Sequence, residues 1–305
     1  MSTILKRTQS VSQSGVRPPA AVEVAPEGAL AASLPGPGES PVYAFAAMPA
    51  GALVPGIAEA NLRMPEAVAA AIRSALDDVA PRSRAVTLVL PDTAVRVFVL
   101  DFDSLPSKAA DAMPVMRFRL RKMVPFDVEH AAVSYQVLVQ EKDGVKVLAT
   151  VMPGPILAEY ESVVRAAGYE PGAVLPSSLA ALAALESMEP ILAANLNGLA
   201  LTTSITSGHD LLLYRTLELP EEPAARLEEV QRSIAVAEAF FEDKLMARPR
   251  ELHFAGNTSA AEFARIIGDP DLTVTDMAPR PTTGVATTLG SISFAGIAGA
   301  LAGAA

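Results

Sequence analysis

Along this chain apolar residues recur first at strand-like alternation, then at helix-like spacing, and the cycle runs twice. Apolar residues at 20–24 and 42–46, separated by Leu34-Pro35-Gly36-Pro37-Gly38, predict two hairpin strands joined by a long turn. Pro65 is placed to open a helix with Val68, Ile72, Leu76 and Val79 on one face. Residues 86–90 and 95–100 follow as strands joined by Pro91-Asp92-Thr93. Met113, Met116, Leu120 and Met123 then recur at helical spacing, so a helix there can bury a sulfur-rich face. Pro125 is expected to stop it, because proline lacks an amide donor and disfavours helical geometry at Val124. Val133, Tyr135, Val137 and Val139 alternate as a half-buried strand, and residues 132–139 pair by expectation with 145–152 across Asp143-Gly144. Ile156, Tyr160, Val163 and Val164 line a helix that Gly168 caps, and Pro176-Ser177-Ser178 starts a short one.

From Ile191 the cycle restarts with strands at 191–195, 199–205 and 211–217. A long helix follows, with Leu227, Val230, Ile234, Ala237, Phe241 and Leu245 on one face, then a strand at 251–255 and a helix at 260–267. Two rounds of strands followed by helices predict an α/β protein with mixed sheets flanked by helices. By expectation the chain divides into a polar, disordered segment at 1–18, a first domain at 19–185 and a second at 186–305. The first domain carries an inserted strand-helix-strand-strand part at about 86–155. The apolar end, 292–305, carries Gly299 and Gly303 at a spacing that suits helix pairing in lipid, but a short buried helix packed closely on a sheet is favoured.

Charge and composition narrow the function. Half of the residues are hydrophobic and only 5% aromatic, so the core is built mostly of Ala, Val and Leu. A net charge of −10 argues against a nucleic-acid partner, which needs clustered Lys and Arg. The absence of cysteine excludes disulfides and thiolate chemistry. No run approaches the roughly 20 apolar residues of a membrane span, and the polar stretch after Lys6 and Arg7 is unlike a signal peptide. His130, His209 and His253 lie far apart without metal-ligand spacing, and no nucleophile elbow or P-loop occurs. Asp101 and Asp103 share a strand face that could hold a hard cation, although solvated strand-end acids are the favoured reading. The basic run Arg117, Arg119, Arg121 and Lys122 is balanced between a solubilising face and a docking surface for acidic groups.

Taken in order, Leu105-Pro106, the following helix, Val124-Pro125-Phe126 and Val133-Ser134-Tyr135-Gln136-Val137-Leu138 resemble the PilM family of type IV pilus assembly proteins. The segment 86–91, Tyr160 to Gly168 with Pro171, Ser178-Leu179-Ala180 and the terminal Gly296-Ile297-Ala298-Gly299 extend the resemblance. It implies an actin-like (RNase H-like) two-domain fold related to FtsA. It also implies a cytoplasmic adaptor, associated with the inner membrane through a PilN-like partner whose short tail lies in a groove near residues 86–135. Met113, Met116, Arg117, Leu120, Arg121, Met123, Phe126 and Tyr135 are the residues expected at that interface. The pilus motor ATPase and a second copy of the chain stay open as further partners, as does a GspL-like role in type II secretion.

The phosphate motifs depart from those of actin-like ATPases, which use aspartate, glycine and hydroxyls to cradle phosphate and magnesium. The first would fall at Glu23-Val24-Ala25-Pro26-Glu27-Gly28, with glutamate for aspartate, alanine for glycine and proline removing an amide. The second would fall at Asn195-Leu196-Asn197-Gly198, where an amide replaces the carboxylate, and the adenosine-side pair is Gly256-Asn257. Glu23, Gly28, Asn195, Asn197, Gly198, Gly256 and Asn257 are thus expected to form a degenerate nucleotide site. No cofactor is expected, with ATP and magnesium as the open alternative, and ATPase activity is expected to be weak or absent.

Overall fold

The computed structural model describes residues 17–36, 38–141, 144–185, 187–208, 210–278 and 293–302. The polar segment expected to be disordered lies almost wholly outside the described residues, as do Pro37, Asp143, His209, Ile292 and Gly303.

Two sheets of five strands share one topology. The first holds β1 (Ala20–Ala25), β2 (Gly28–Ser33), β3 (Val42–Ala47), β4 (Ala85–Leu90) and β8 (Glu170–Pro176), in the order β3-β2-β1-β4-β8. The second holds β9 (Ile191–Asn197), β10 (Ala200–Ser207), β11 (Asp210–Glu218), β12 (Glu251–Gly256) and β13 (Thr273–Asp276), in the order β11-β10-β9-β12-β13. In each, an antiparallel three-strand meander is extended by two parallel strands. The parallel strand β4 is buried along nearly its whole length, which is why its sequence is a continuous apolar run rather than an alternation.

The expected hairpin of 20–24 with 42–46 does not form. β2 lies between them, pairing with β1 on one side and β3 on the other. Its sequence, GALAAS, is fully buried on both faces and therefore shows no polar alternation to mark it as a strand. The strands β8 and β13 were likewise unmarked in the pattern, the first because Pro171, Gly172 and Pro176 interrupt it.

Helices cover the sheets. α1 (Pro65–Asp78) begins on its proline and buries Val68, Ile72 and Leu76, as its spacing predicts. The inserted part runs between β4 and α3 (Gly154–Ala166): β5 (Arg96–Phe102), α2 (Ala109–Leu120), β6 (Ala131–Glu141) and β7 (Gly144–Pro153). Its three strands pair in the order β5-β7-β6, and its own core is closed by Met116 and Leu120 of α2. The insertion therefore starts after residue 90, since β4 belongs to the first large sheet. α2 stops at Leu120, five residues short of Pro125, so Met123 lies beyond its end. The chain leaves the helix early because residues 128–131 return across its last turn, where the Arg117 guanidinium donates to the carbonyls of Val128, Glu129 and Ala131.

α4 (Ser177–Leu182) follows β8, and α5 (Pro223–Leu245) and α6 (Ala260–Ile267) cover the second sheet. α5 is capped by Glu222, whose carboxylate accepts from the amides of Ala224 and Ala225. The last helix, α7 (Ala295–Ala302), was expected with the second domain. It packs mainly on α4 and on β1 and β2 of the first sheet, while Ala295 at its start joins a buried cluster with Ile191, Ala193 and Ala255 of the second. Gly299 makes that approach possible: a Cβ there would lie 1.9 Å from the Ala180 carbonyl oxygen.

Candidate functional site

Two concavities bring together the residues that sequence reasoning singled out, and others that it missed. The first is a cleft of about 780 Å³ between the two large sheets. The β1–β2 turn places Glu23 and Gly28 on one wall, the β9–β10 turn places Asn197 and Gly198 on the other, and Asn257 follows β12 at the mouth. Asn195 and Gly256 do not line it. Asn195 is buried beneath, with neither side-chain amide atom hydrogen-bonded, and Gly256 lies against β9, where a Cβ would meet the Leu196 carbonyl at 2.6 Å. Gly28 also answers a packing need, since a Cβ there would sit 2.3 Å from the Ala46 carbonyl.

The centre of the cleft is made of buried carboxylates that reach α4. Ser177 Oγ donates to Glu23 Oε1 at 2.5 Å, while Glu23 Oε2 faces the first turn of α7, where the Ile297 amide also favours the charged form. Burial raises the Glu23 carboxyl to about 7, opposed by the Ser177 bond and reinforced by the nearby Asp92 charge. Asp92, missed in the sequence because it reads as a loop acid after Pro91, is also buried. It accepts from the amide of Ser178 at 3.0 Å, from Ser178 Oγ at 2.6 Å and from the hydroxyl of Tyr214 at 3.4 Å. Burial raises it to about 6 against those bonds. Because Ser178 belongs to α4 and Tyr214 to β11, Asp92 ties the two large sheets together. At the mouth, Asn257 Nδ2 donates to Glu27 Oε1 at 3.4 Å, a second tie across the same gap.

The described lining carries Glu23, Glu27, Glu59, Asp92, Glu218 and Glu221 against one guanidinium, Arg63, which is bound to Glu59 at 2.7 Å. Glu218 is in turn paired with Arg96 at 3.2 Å, and burial favours the protonated forms of Glu23 and Asp92. What opposes a polyphosphate is therefore the lack of a free cation in the described lining. Pro26 occupies the β1–β2 turn and offers no amide donor there. Among the described residues no cluster of three His, Asp or Glu side chains is arranged to hold a metal ion. Asp101 pairs with Lys146 at 3.0 Å, His130 is a surface residue beside Asp127, and His253 stands by Thr275.

The second concavity is a groove of about 390 Å³ between the first large sheet and the inserted one. Its sides are two edge strands: β8 ends the first sheet and β6 ends the inserted sheet. An edge strand presents a row of backbone donors and acceptors available to another chain. The floor is a stripe of α3, Leu157, Glu161 and Arg165, spaced one turn apart. Ala132, Val133 and Ser134 of β6 and Ala173, Val174 and Leu175 of β8 complete the walls.

None of the eight residues expected at a partner interface lines this groove. Met116 and Leu120 have no exposed surface and offer nothing to a partner. Met113, Phe126 and Tyr135 pack half-buried against the same small core, and burial raises the Tyr135 hydroxyl. Arg117 is spent on backbone carbonyls, Arg121 pairs with Glu129 at 2.5 Å, and Met123 is exposed in the turn after α2. These side chains build the inserted part that forms one bank of the groove. A signal for the groove was nevertheless present: Glu161 breaks an otherwise apolar helix face at the step between Leu157 and Arg165.

No family model and no curated protein matches this chain. Solved structures do. A PilM–PilN type IV pilus biogenesis complex superposes with a TM-score of 0.73 at 19% identity, covering 94% of this chain and 98% of that one. The cytoplasmic domain of EpsL, an inner-membrane component of the Vibrio cholerae type II secretion system, superposes at 0.51 with 13% identity, covering 88% and 91%. A Bacteroides thetaiotaomicron protein of actin-like ATPase fold and unknown function superposes at 0.51 with 11% identity, covering 95% and 98%. The chain has the actin-like fold, in a form that extends over the whole length of the PilM structure.

Proposed function

We propose that this protein is an assembly adaptor of a type IV pilus or a kindred secretion platform. It captures the short cytoplasmic tail of a PilN-like inner-membrane protein in the groove between β6 and β8. The observation that carries this reading is the pair of edge strands facing each other across an apolar trough, in a fold that matches the PilM–PilN structure end to end. An extended tail can add to β6 or along residues 173–175 of β8, with main-chain hydrogen bonds supplying affinity and side-chain pockets supplying selectivity. No helix among the described residues is long and apolar enough to cross a membrane, so attachment through a partner's tail accounts for a place at the membrane.

Titration of the synthetic cytoplasmic tail of a single-span PilN-like inner-membrane protein into the purified chain tests this. Micromolar binding is expected, and it should be lost on Ala173→Arg, which puts a long charged side chain into the trough. Absence of heat at high micromolar tail, or unchanged binding by Ala173→Arg, contradicts it.

A nucleotide-gated version of the same adaptor is favoured by one observation, the cleft, which has room for a nucleotide. Its acidic lining and the Pro26 turn speak against triphosphate, and the adaptor therefore works without ATP turnover in our reading. Saturating Mg-ATP should leave the melting temperature unchanged, whereas a ligand at about one hundred times its Kd would add roughly 2.7 kcal/mol of stability and a readable upward shift.

A further inference from the structure

We propose that Glu161 makes the groove selective for a lysine or arginine side chain on the extended peptide it holds, an inference that rests on the groove being the docking site proposed above. Glu161 is only 3% exposed, yet it stands on the groove floor. Its Oε2 accepts from Arg165 Nη2 at 2.9 Å, while its Oε1 is buried and has no hydrogen-bond partner. A carboxylate oxygen withdrawn from water and left unpaired is unfavourable, and such groups are normally satisfied within the fold or by what binds there.

Charge identifies the missing partner. Arg165 is the only base in the described lining, and it is shared between Glu161 and Glu170, the latter at 3.5 Å. Because Arg165 also serves the exposed Glu170, the buried Glu161 at the base of an apolar trough has only a shared counter-charge. A single ammonium or guanidinium reaching Oε1 would supply both the donor and the charge, in a setting where a desolvated pair is strong because water does not compete. A membrane protein's cytoplasmic flank is where such a side chain is to be found, since those segments carry an excess of Lys and Arg. The rest of the stripe, Leu157 with Val133, Val151 and Val174 around it, receives the apolar stem and the neighbouring residues.

A positional-scanning library of acetylated, amidated nonapeptides on a valine, leucine and threonine background tests the proposal. Each position is fixed in turn as lysine, glutamine, glutamate or norleucine, and binding is read on the native chain, on Glu161→Gln and on Glu170→Gln. On the native chain, lysine at one position should bind about tenfold or more tighter than norleucine there, with glutamine close to norleucine and glutamate weakest. The lysine advantage should vanish on Glu161→Gln and survive within about twofold on the exposed Glu170→Gln. A native-like circular dichroism spectrum and a cooperative urea transition show that Glu161→Gln is folded.

Equal binding of lysine, glutamine and norleucine at every position on the native chain would overturn the selectivity while leaving the groove as a docking site. That comparison needs no variant at all. A lysine advantage that persists on Glu161→Gln would overturn the assignment to Glu161. Failure of every peptide to bind would overturn the docking reading itself, and the selectivity with it.

Discussion

At the scale of single residues, the molecule keeps carboxylates where water is absent, and this has consequences that can be measured. Glu23 carries a folded pKa of about 7 against 4.5 for the free side chain. The folded state therefore holds a proton that the unfolded state has released, and stability falls as pH rises through that window. The loss is of the order of 2–3 kcal/mol between pH 4.5 and 8. Asp92, raised to about 6, adds to it with the same sign. Glu23→Gln should melt at a higher temperature than the native chain at pH 8, and its melting temperature should fall less between pH 5 and 8; equal slopes for the two proteins would contradict the burial argument. Arg117 gives a second test. It donates to the carbonyls of Val128 and Ala131, so Arg117→Ala removes these bonds, leaving Val128 only the Ala131 amide, and should destabilise the chain by about 1–3 kcal/mol in urea unfolding. An unchanged midpoint would return Arg117 to the free cationic surface that the sequence suggests. Neither role was legible from residue types alone. A basic run on a methionine-rich helix reads as surface, and an aspartate after a strand-ending proline reads as loop, until the chain's return path is known.

At the scale of elements, legibility followed the contrast between a buried and an exposed face. α1, α3 and the β6–β7 hairpin each have one wet side, and their spacing in the sequence marks them to within a few residues. β2 is buried on both sides and made of small residues, so nothing in it alternates and the strand was lost within a supposed turn. β8 was hidden by prolines and glycine, which an edge strand tolerates because one side of its backbone has no ladder to maintain. The same tolerance explains why the candidate groove was only half visible: its β6 side and the 161–165 part of its α3 floor fall within the resembling segments, while of β8 only Pro171 does. The end of the chain shows what close packing demands. Gly299→Ala would drive a methyl group into the Ala180 carbonyl, and Gly296→Ala into the Glu23 carboxylate at 2.6 Å. Gly299→Ala should lower stability by about 1–3 kcal/mol through displacement of α7 from α4, visible as a reduced melting temperature and faster amide exchange in α4. A variant as stable as the native chain would show that α7 does not dock as described.

At the scale of the whole molecule, a duplicated five-stranded layout is held together by a few polar ties and one late helix. Asp92 joins Ser178 to Tyr214, Asn257 joins Glu27, Arg96 of the inserted sheet reaches Glu218 of β11 at 3.2 Å, and α7 returns to the first sheet. These ties span the cleft, whose described lining offers no free cation to a polyphosphate. The groove on the other side of the inserted part stays open, flanked by strand edges and floored by a carboxylate that wants a donor. The division of labour in our account follows from that contrast: the cleft supports the fold, and the groove does the binding. Amide hydrogen exchange with and without the cytoplasmic tail of the membrane neighbour tests it most directly. The account predicts new protection confined to Glu170–Pro176 and Ala131–Glu141, with exchange around Glu23–Gly28 and Asn195–Gly198 unchanged. Protection gained at the cleft, or none gained along β6 and β8 at saturating tail, would contradict it.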